Sequence, residues 1–140
     1  DVNMTSAMIV TRAALPELEK AGQASIINLS SIAGRAGGSK GSQAYSAAKA
    51  AVVGWTRALA SELGPKGIRV NAIAPGLILG SYFHSTHSSE EKIRKTIAGI
   101  PLGRAGTPED VARVAAFLAS EYDGFTNGVV LDVNGGSYCG

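Results

Sequence analysis

Tyr45 and Lys49 are the pair of side chains in this sequence with the clearest chemical potential. Residues four apart on a helix share a face, one turn from each other. Around this pair the pattern is helical: Ala48, Val52, Trp55 and Leu59 recur at i, i+4, i+7 and i+11 across residues 44–63, and Gly64-Pro65 supplies a terminator. A positive charge one turn from a phenol favours tyrosinate over tyrosine, which suits Tyr45 to give and take a proton. The spacing alone is weak, because an exposed Tyr/Lys pair on a helix needs no function. Ser31 adds context. It closes a short apolar run, and in open parallel sheets ligands bind outside the carboxyl ends of the strands. A hydroxyl there can hydrogen-bond a carbonyl oxygen while Tyr45 delivers a proton to it; the bland alternative is a turn or capping serine.

The elements that would position these residues alternate along the chain. Residues 4–20 carry apolar side chains at roughly helical spacing, with Pro16 near the end and Gly22 as a stop. Residues 25–30 suit a strand buried on both faces of a parallel sheet. Residues 34–42, with four glycines, read as loop. Residues 68–74 form a second buried strand ended by Pro75-Gly76. The stretch 77–106 lacks a clean period, although Glu90-Glu91-Lys92 could open a short helix, and it reads as a lid or substrate loop. Thr107-Pro108-Glu109-Asp110 is a helix start: a threonine cap, proline at the first position and acids in the first turn. A third strand follows at 129–133. Helix and strand in alternation predict an α/β fold with a parallel sheet and no internal domain boundary.

Composition narrows the function. With 140 residues, 45% hydrophobic and 17% charged, the chain has the balance of a globular domain. The net charge of +2 is spread over 13 basic and 11 acidic residues, so there is no concentrated patch for nucleic acid. No apolar run approaches the roughly 18 residues that span a bilayer, and no signal segment opens the sequence. No membrane partner and a cytoplasmic location are the expectations. A lone Cys139 offers neither a disulfide nor a zinc cluster, and no metal is expected. Asn3-Met4-Thr5 and Asn28-Leu29-Ser30 match the glycosylation pattern but carry little weight without a secretion signal. Gly37-Gly38-Ser39-Lys40-Gly41 is formally G-x-S-x-G, the nucleophile elbow of α/β hydrolases, with His84 or His87 available as a base. The elbow needs a strand immediately before and a helix immediately after its serine, and Ser39 lies well inside a glycine loop. His84 and His87 have no evident third metal ligand.

With Asn3, Ser31, Tyr45 and Lys49, and with NLSS, YSAAK, IRVNAIAPG, PLGRAGTPEDVA and a closing NGG, the sequence resembles the classical short-chain dehydrogenase/reductases over essentially its whole length, in particular the 3-oxoacyl-ACP reductase type. The resemblance implies a Rossmann-like, doubly wound parallel sheet, of which residues 1–140 would be the C-terminal catalytic part of a single domain. It implies Tyr45 as proton donor in ketone reduction and base in alcohol oxidation. Lys49 would ease the ionisation of Tyr45 and bind the nicotinamide ribose, Ser31 would polarise the substrate carbonyl, and Asn3 would hold a water in the proton relay. Pro75, Gly76 and Ile78 match the segment that runs along the nicotinamide of NAD or NADP. Dimers or tetramers are common in the family, and Ala47, Ala50, Ala51 and Gly54 would allow close approach of a partner helix or tight packing on the chain's own sheet.

Two departures stand out. Where the family often has threonine, five residues after the proline of its PG motif, this chain has Gly80 followed by Ser81. No G-x-G-x-x-G dinucleotide fingerprint occurs in the sequence. Together with a first residue that is not Met, this leads to the expectation of a piece of a longer protein. The function expected is ketone/secondary-alcohol oxidoreduction with NAD(P). The alternatives are a catalytically silent remnant and, remotely, a serine hydrolase acting through Ser39.

Overall fold

The computed structural model describes residues 2–80 and 89–140. Its elements are α1 (Val2–Ala21), β1 (Ala24–Leu29), α2 (Ala33–Ala36), α3 (Gln43–Leu63), a 3-10 turn (Gly64–Lys66), β2 (Ile68–Pro75), α4 (Glu90–Ala98), α5 (Pro108–Ala119) and β3 (Val130–Val133). The strands form one parallel sheet in the order β1-β2-β3. Ala24 stands opposite Ile68 and Leu29 opposite Ile73; Ala72 stands opposite Val130 and Pro75 opposite Val133.

Side chains alternate across a strand, and the two faces find different partners. Ile26, Ile68 and Val70 meet Leu59, Ala60 and Leu63 of α3 and Leu15 and Leu18 of α1. On the other face, the Ser25 hydroxyl and the Arg69 guanidinium each donate to the Leu118 carbonyl of α5 at 3.0 Å. Helices on both faces explain why the apolar residues Ile68, Val70, Ala72, Ile73 and Ala74 of β2 are fully buried. Each large side chain so removed from water contributes about 1.5–3 kcal/mol. β1 departs from the expectation of burial on both faces. It is half-buried from Ala24 to Ile27, buried at Asn28 and exposed at Leu29, and among the described residues it pairs with β2 alone and forms the sheet edge.

Asn28 is the polar exception in β1. Its Nδ2 donates to Thr56 Oγ1 at 3.0 Å, and Thr56 Oγ1 donates to the Val52 carbonyl at 2.8 Å, all within the core. This bond sets the depth at which α3 seats on β1. It also takes the Asn28 glycosylation match into the interior.

One further expectation changes. The glycine-rich stretch taken for loop contains one helical turn, α2, whose Ile32 N–H is held by the Pro75 carbonyl at 3.1 Å and which ends at Gly37 with φ +89°. α3 does end at Leu63 with Gly64 as its C-cap, but Gly64 keeps a helical φ of −53° and the left-handed residue is Gly67, φ +76°, after the 3-10 turn.

The start of α5 is as the residue order requires. The Thr107 side chain accepts from Asp110 N, the Asp110 carboxylate accepts from Thr107 N at 2.9 Å, and Arg104 forks onto Asp110 at 2.7 and 3.2 Å. The Arg104 guanidinium, then the Thr107 N–H, hold the Asp110 carboxyl down to about 2. A carboxyl lowered in the native state gives stability that is present above its unfolded value and is lost as pH falls through the native one. Asp110→Asn is therefore expected to melt below wild type near neutral pH, with the difference closing toward about pH 2. Thermal melts across that range would check it; a difference independent of pH would refute the assignment.

Candidate active site

The site lies where β1 and β2 end. Lys49 clasps the end of β1 twice. Its Nζ donates to the Leu29 carbonyl at 2.8 Å, and its own carbonyl accepts from Ser30 Oγ at 2.8 Å. One turn earlier Tyr45 projects from the first turn of α3, 43% exposed, with Lys49 Nζ 5.8 Å from its ring centroid. Burial lowers the Lys49 pKa from its ordinary 10.5. Ser31 follows the clasped strand end, half-buried, and its Oγ accepts from Ala33 N at 3.1 Å. Since the Ser31 hydroxyl proton is not engaged by that bond, it is available to a carbonyl oxygen.

Gly34 lets α2 press against α3. A Cβ there would stand 2.6 Å from the Lys49 carbonyl carbon and 2.7 Å from Ala50 N. The neighbours are helix backbone and cannot swing aside. Gly34→Ala is thus expected to cost about 1–3 kcal/mol through overpacking, and to lower activity in a protein that still folds, because the turn carrying Ser31 is pushed off α3. Denaturant titration beside an activity assay would test this, and wild-type behaviour in both would refute it.

The cofactor-segment candidates lie alongside. Pro75 ends β2 and its carbonyl holds Ile32 N. Gly76 N donates to the Val133 carbonyl at 3.0 Å, and a Cβ at Gly76 would meet Asn134 Cβ at 2.8 Å. Ile78 bridges to Gly106, with Gly106 N donating to Leu77 O and Leu79 N to Gly106 O, both at 2.9 Å. Gly80 has φ +89°, a conformation closed to threonine, so the departure from the family's usual residue belongs to the backbone as well as the side chain.

Asn3 lies in the first turn of α1 and is exposed; its carbonyl accepts from Ser6 Oγ at 3.5 Å, and among the described residues no hydrogen bond joins it to Lys49. Hydrogen bonds thus tie Lys49 to the strand end that precedes Ser31 and tie Ile32 to Pro75, with Tyr45 beside Lys49. Ser39 does not form a nucleophile elbow. Its N–H donates to Ser42 Oγ at 2.8 Å, in a turn separated from β1 by α2. Ser81, Tyr82, Phe83, His84 and His87 lie outside the described residues. Among the described residues there is no cluster of three His, Cys, Asp or Glu side chains able to hold a metal, and no helix long and apolar enough to cross a membrane. Asn28, Thr56 and Gly34 were not singled out as positioning residues from the sequence. An asparagine inside an apolar strand was the one available signal.

Comparison with known proteins agrees with this architecture. The family model described as Enoyl-(Acyl carrier protein) reductase matches residues 1–138. The chain is 45% identical over 139 residues to the (3R)-3-hydroxyacyl-CoA dehydrogenase of Rattus norvegicus, covering 98% of this chain and 52% of that one. It is 43% identical over 136 residues to the 3-oxoacyl-[acyl-carrier-protein] reductase FabG of Chlamydia muridarum, covering 97% and 54%. A crystal structure from Beutenbergia cavernae, described as an NAD(P)-dependent gluconate 5-dehydrogenase with bound NADP, superposes with a TM-score of 0.89 at 38% identity, over 97% of this chain and 54% of that one. The chain spans about half the length of the curated relatives it matches. With a parallel α/β sheet of Rossmann type and oxidoreductases as relatives, this chain belongs to the short-chain dehydrogenase/reductase family.

Proposed function

We propose that these 140 residues are the C-terminal catalytic part of a single Rossmann-like domain, and that the complete polypeptide interconverts a ketone and a secondary alcohol. The carrying observation is the double clasp of Lys49 on the end of β1, which holds the α3 turn after Tyr45 against the strand end that precedes Ser31. The Ser31 hydroxyl hydrogen-bonds the substrate carbonyl oxygen. Tyr45 gives that oxygen its proton during reduction and takes it back during oxidation. Lys49 places a positive charge beside Tyr45, with Nζ 5.8 Å from its ring centroid.

The residues present fit the nicotinamide end of NAD or NADP. Lys49 spends one of its three N–H donors on Leu29 O, leaving two for ribose hydroxyls. Pro75, Gly76 and Ile78 form the adjacent wall, where Gly76 could carry no side chain beside Asn134. When bound, the cofactor supplies or accepts the hydride. The sequence has no G-x-G-x-x-G, so its phosphates would rest on groups outside this chain's motifs. Asn3 remains the candidate for ordering a relay water.

The relatives named for 3-oxoacyl and 3-hydroxyacyl compounds favour a 3-oxoacyl thioester as the ketone. Exposure of the small residues Ala47, Ala50, Ala51 and Gly54 on α3 supports a homo-oligomer, dimer or tetramer, with a partner helix seated there. The free, exposed Cys139 suits a reducing, cytoplasmic setting. The 140 residues alone suit the silent reading better, given an edge strand at β1 and exposed Ile9 and Val10 on α1. The test is NADPH and NADH oxidation by the complete polypeptide with acetoacetyl-CoA and a panel of simple ketones. Turnover is expected; none with any ketone and either nucleotide would overturn the proposal.

A further inference from the structure

Arg35 is four residues past Ser31, at the far end of α2, and its side chain is only 15% exposed. It reaches from α2 to β3, where it pairs with Asp132 at 3.2 Å. Since β2 lies between β1 and β3, this side chain spans the end of β2 that carries Pro75 and Gly76. The same guanidinium donates to the Gly140 carbonyl at 3.1 Å and lies 5.6 Å from the Tyr138 ring centroid. The tail is hooked from its other side by Asn134, whose Nδ2 donates to the Tyr138 carbonyl at 3.0 Å and whose Cβ leaves Gly76 no room for a side chain.

We propose that Arg35 is a positioning residue for Ser31: it ties α2 to β3 and to the 137–140 segment, closing a frame around the Ser31 turn and the Pro75-Gly76 segment. α2 has a single turn and no side-chain cap, so it cannot hold its own orientation. Ile32 N and Gly34 fix its near end, on Pro75 and α3. Arg35 fixes the far end. Without it the turn keeps its fold but loses its aim, and the Ser31 hydroxyl no longer meets the carbonyl oxygen squarely. This inference rests on the assignment of Ser31 as the carbonyl-binding group.

The test uses the complete polypeptide with NADPH and acetoacetyl-CoA. Arg35→Met and Asp132→Asn are each expected to lower kcat about tenfold, as misplacement of a positioning group does, with KM for NADPH within about twofold of wild type. Because both act through one pair, the double variant should be no worse than the poorer single by more than about twofold. Arg35→Lys, which keeps the charge but not the fork, should recover part of the loss. A nitroxide on Cys139, which is exposed, should gain mobility in Arg35→Met. A lowered melting temperature with kcat intact, multiplicative effects in the double variant, or unchanged nitroxide mobility would overturn the proposal. Should Arg35→Met fail to fold, Arg35→Lys and Asp132→Asn decide. If the wild type reduces no ketone, the functional reading fails by itself, and the nitroxide still reports whether Arg35 holds the tail.

Discussion

Tyr45→Phe in the complete polypeptide is expected to lower ketone reduction by at least about a hundredfold, the lower end of what a positioned general acid–base contributes. The substitution removes one oxygen from an exposed ring, so the fold has little to lose. Cofactor affinity, measured by fluorescence titration with NADPH, should change only slightly. A loss of rate at unchanged affinity is the pattern of an interaction made in the transition state. Were the rate to stay within about threefold of wild type, the proton would have to come from elsewhere and the assignment of Tyr45 would be wrong.

Lys49→Met separates charge from packing. Lys49 Nζ lies 5.8 Å from the Tyr45 ring centroid, and loss of that charge beside the proposed proton donor is expected to lower turnover by about tenfold or more. Removal of the ribose donors should weaken NADPH binding as well, which distinguishes this variant from Tyr45→Phe. Burial lowers the Lys49 pKa, so the unfolded chain holds the proton more tightly than the native one. The cost of the buried charge is therefore present near neutral pH and relieved as pH rises toward 10.5. Lys49→Met also gives up the bond to the Leu29 carbonyl, so the check is the trend: wild type should gain melting temperature relative to the variant as pH rises toward 10.5, and a difference that does not change with pH would contradict the burial cost.

Periodicity made the strands and long helices legible, because β2 and α3 owe their pattern to the layers that bury them. Val52 and Leu59 could be assigned to the buried face of α3 from spacing alone. Tyr45, Lys49 and Ser31 were legible because their types and order carry chemistry. What escaped was set by contacts between residues far apart in the chain. Gly34 looked like one flexible residue among several, yet it is required by the backbone of Lys49 and Ala50. The partnership of Asn28 with Thr56 depends on the seating of α3, and that of Arg35 with Asp132 on the order of the strands. Gly64 followed by proline read as a stop, and α3 ends there; the 3-10 turn that follows and the left-handed Gly67 were not foreseen.

The hydroxyl of Ser42, at the head of α3, is spent on the Ser39 turn, accepting from Ser39 N and donating to the Ser39 carbonyl, so it caps no helix N–H; the first turn also holds no acid. An uncapped end is where a helix frays first. Tyr45 sits on that end, whereas Lys49 is anchored one turn inside. Under the proposed function, gentle warming should lower turnover of the complete polypeptide before its sheet and helices melt, and a ligand held by Tyr45 would restrain that first turn.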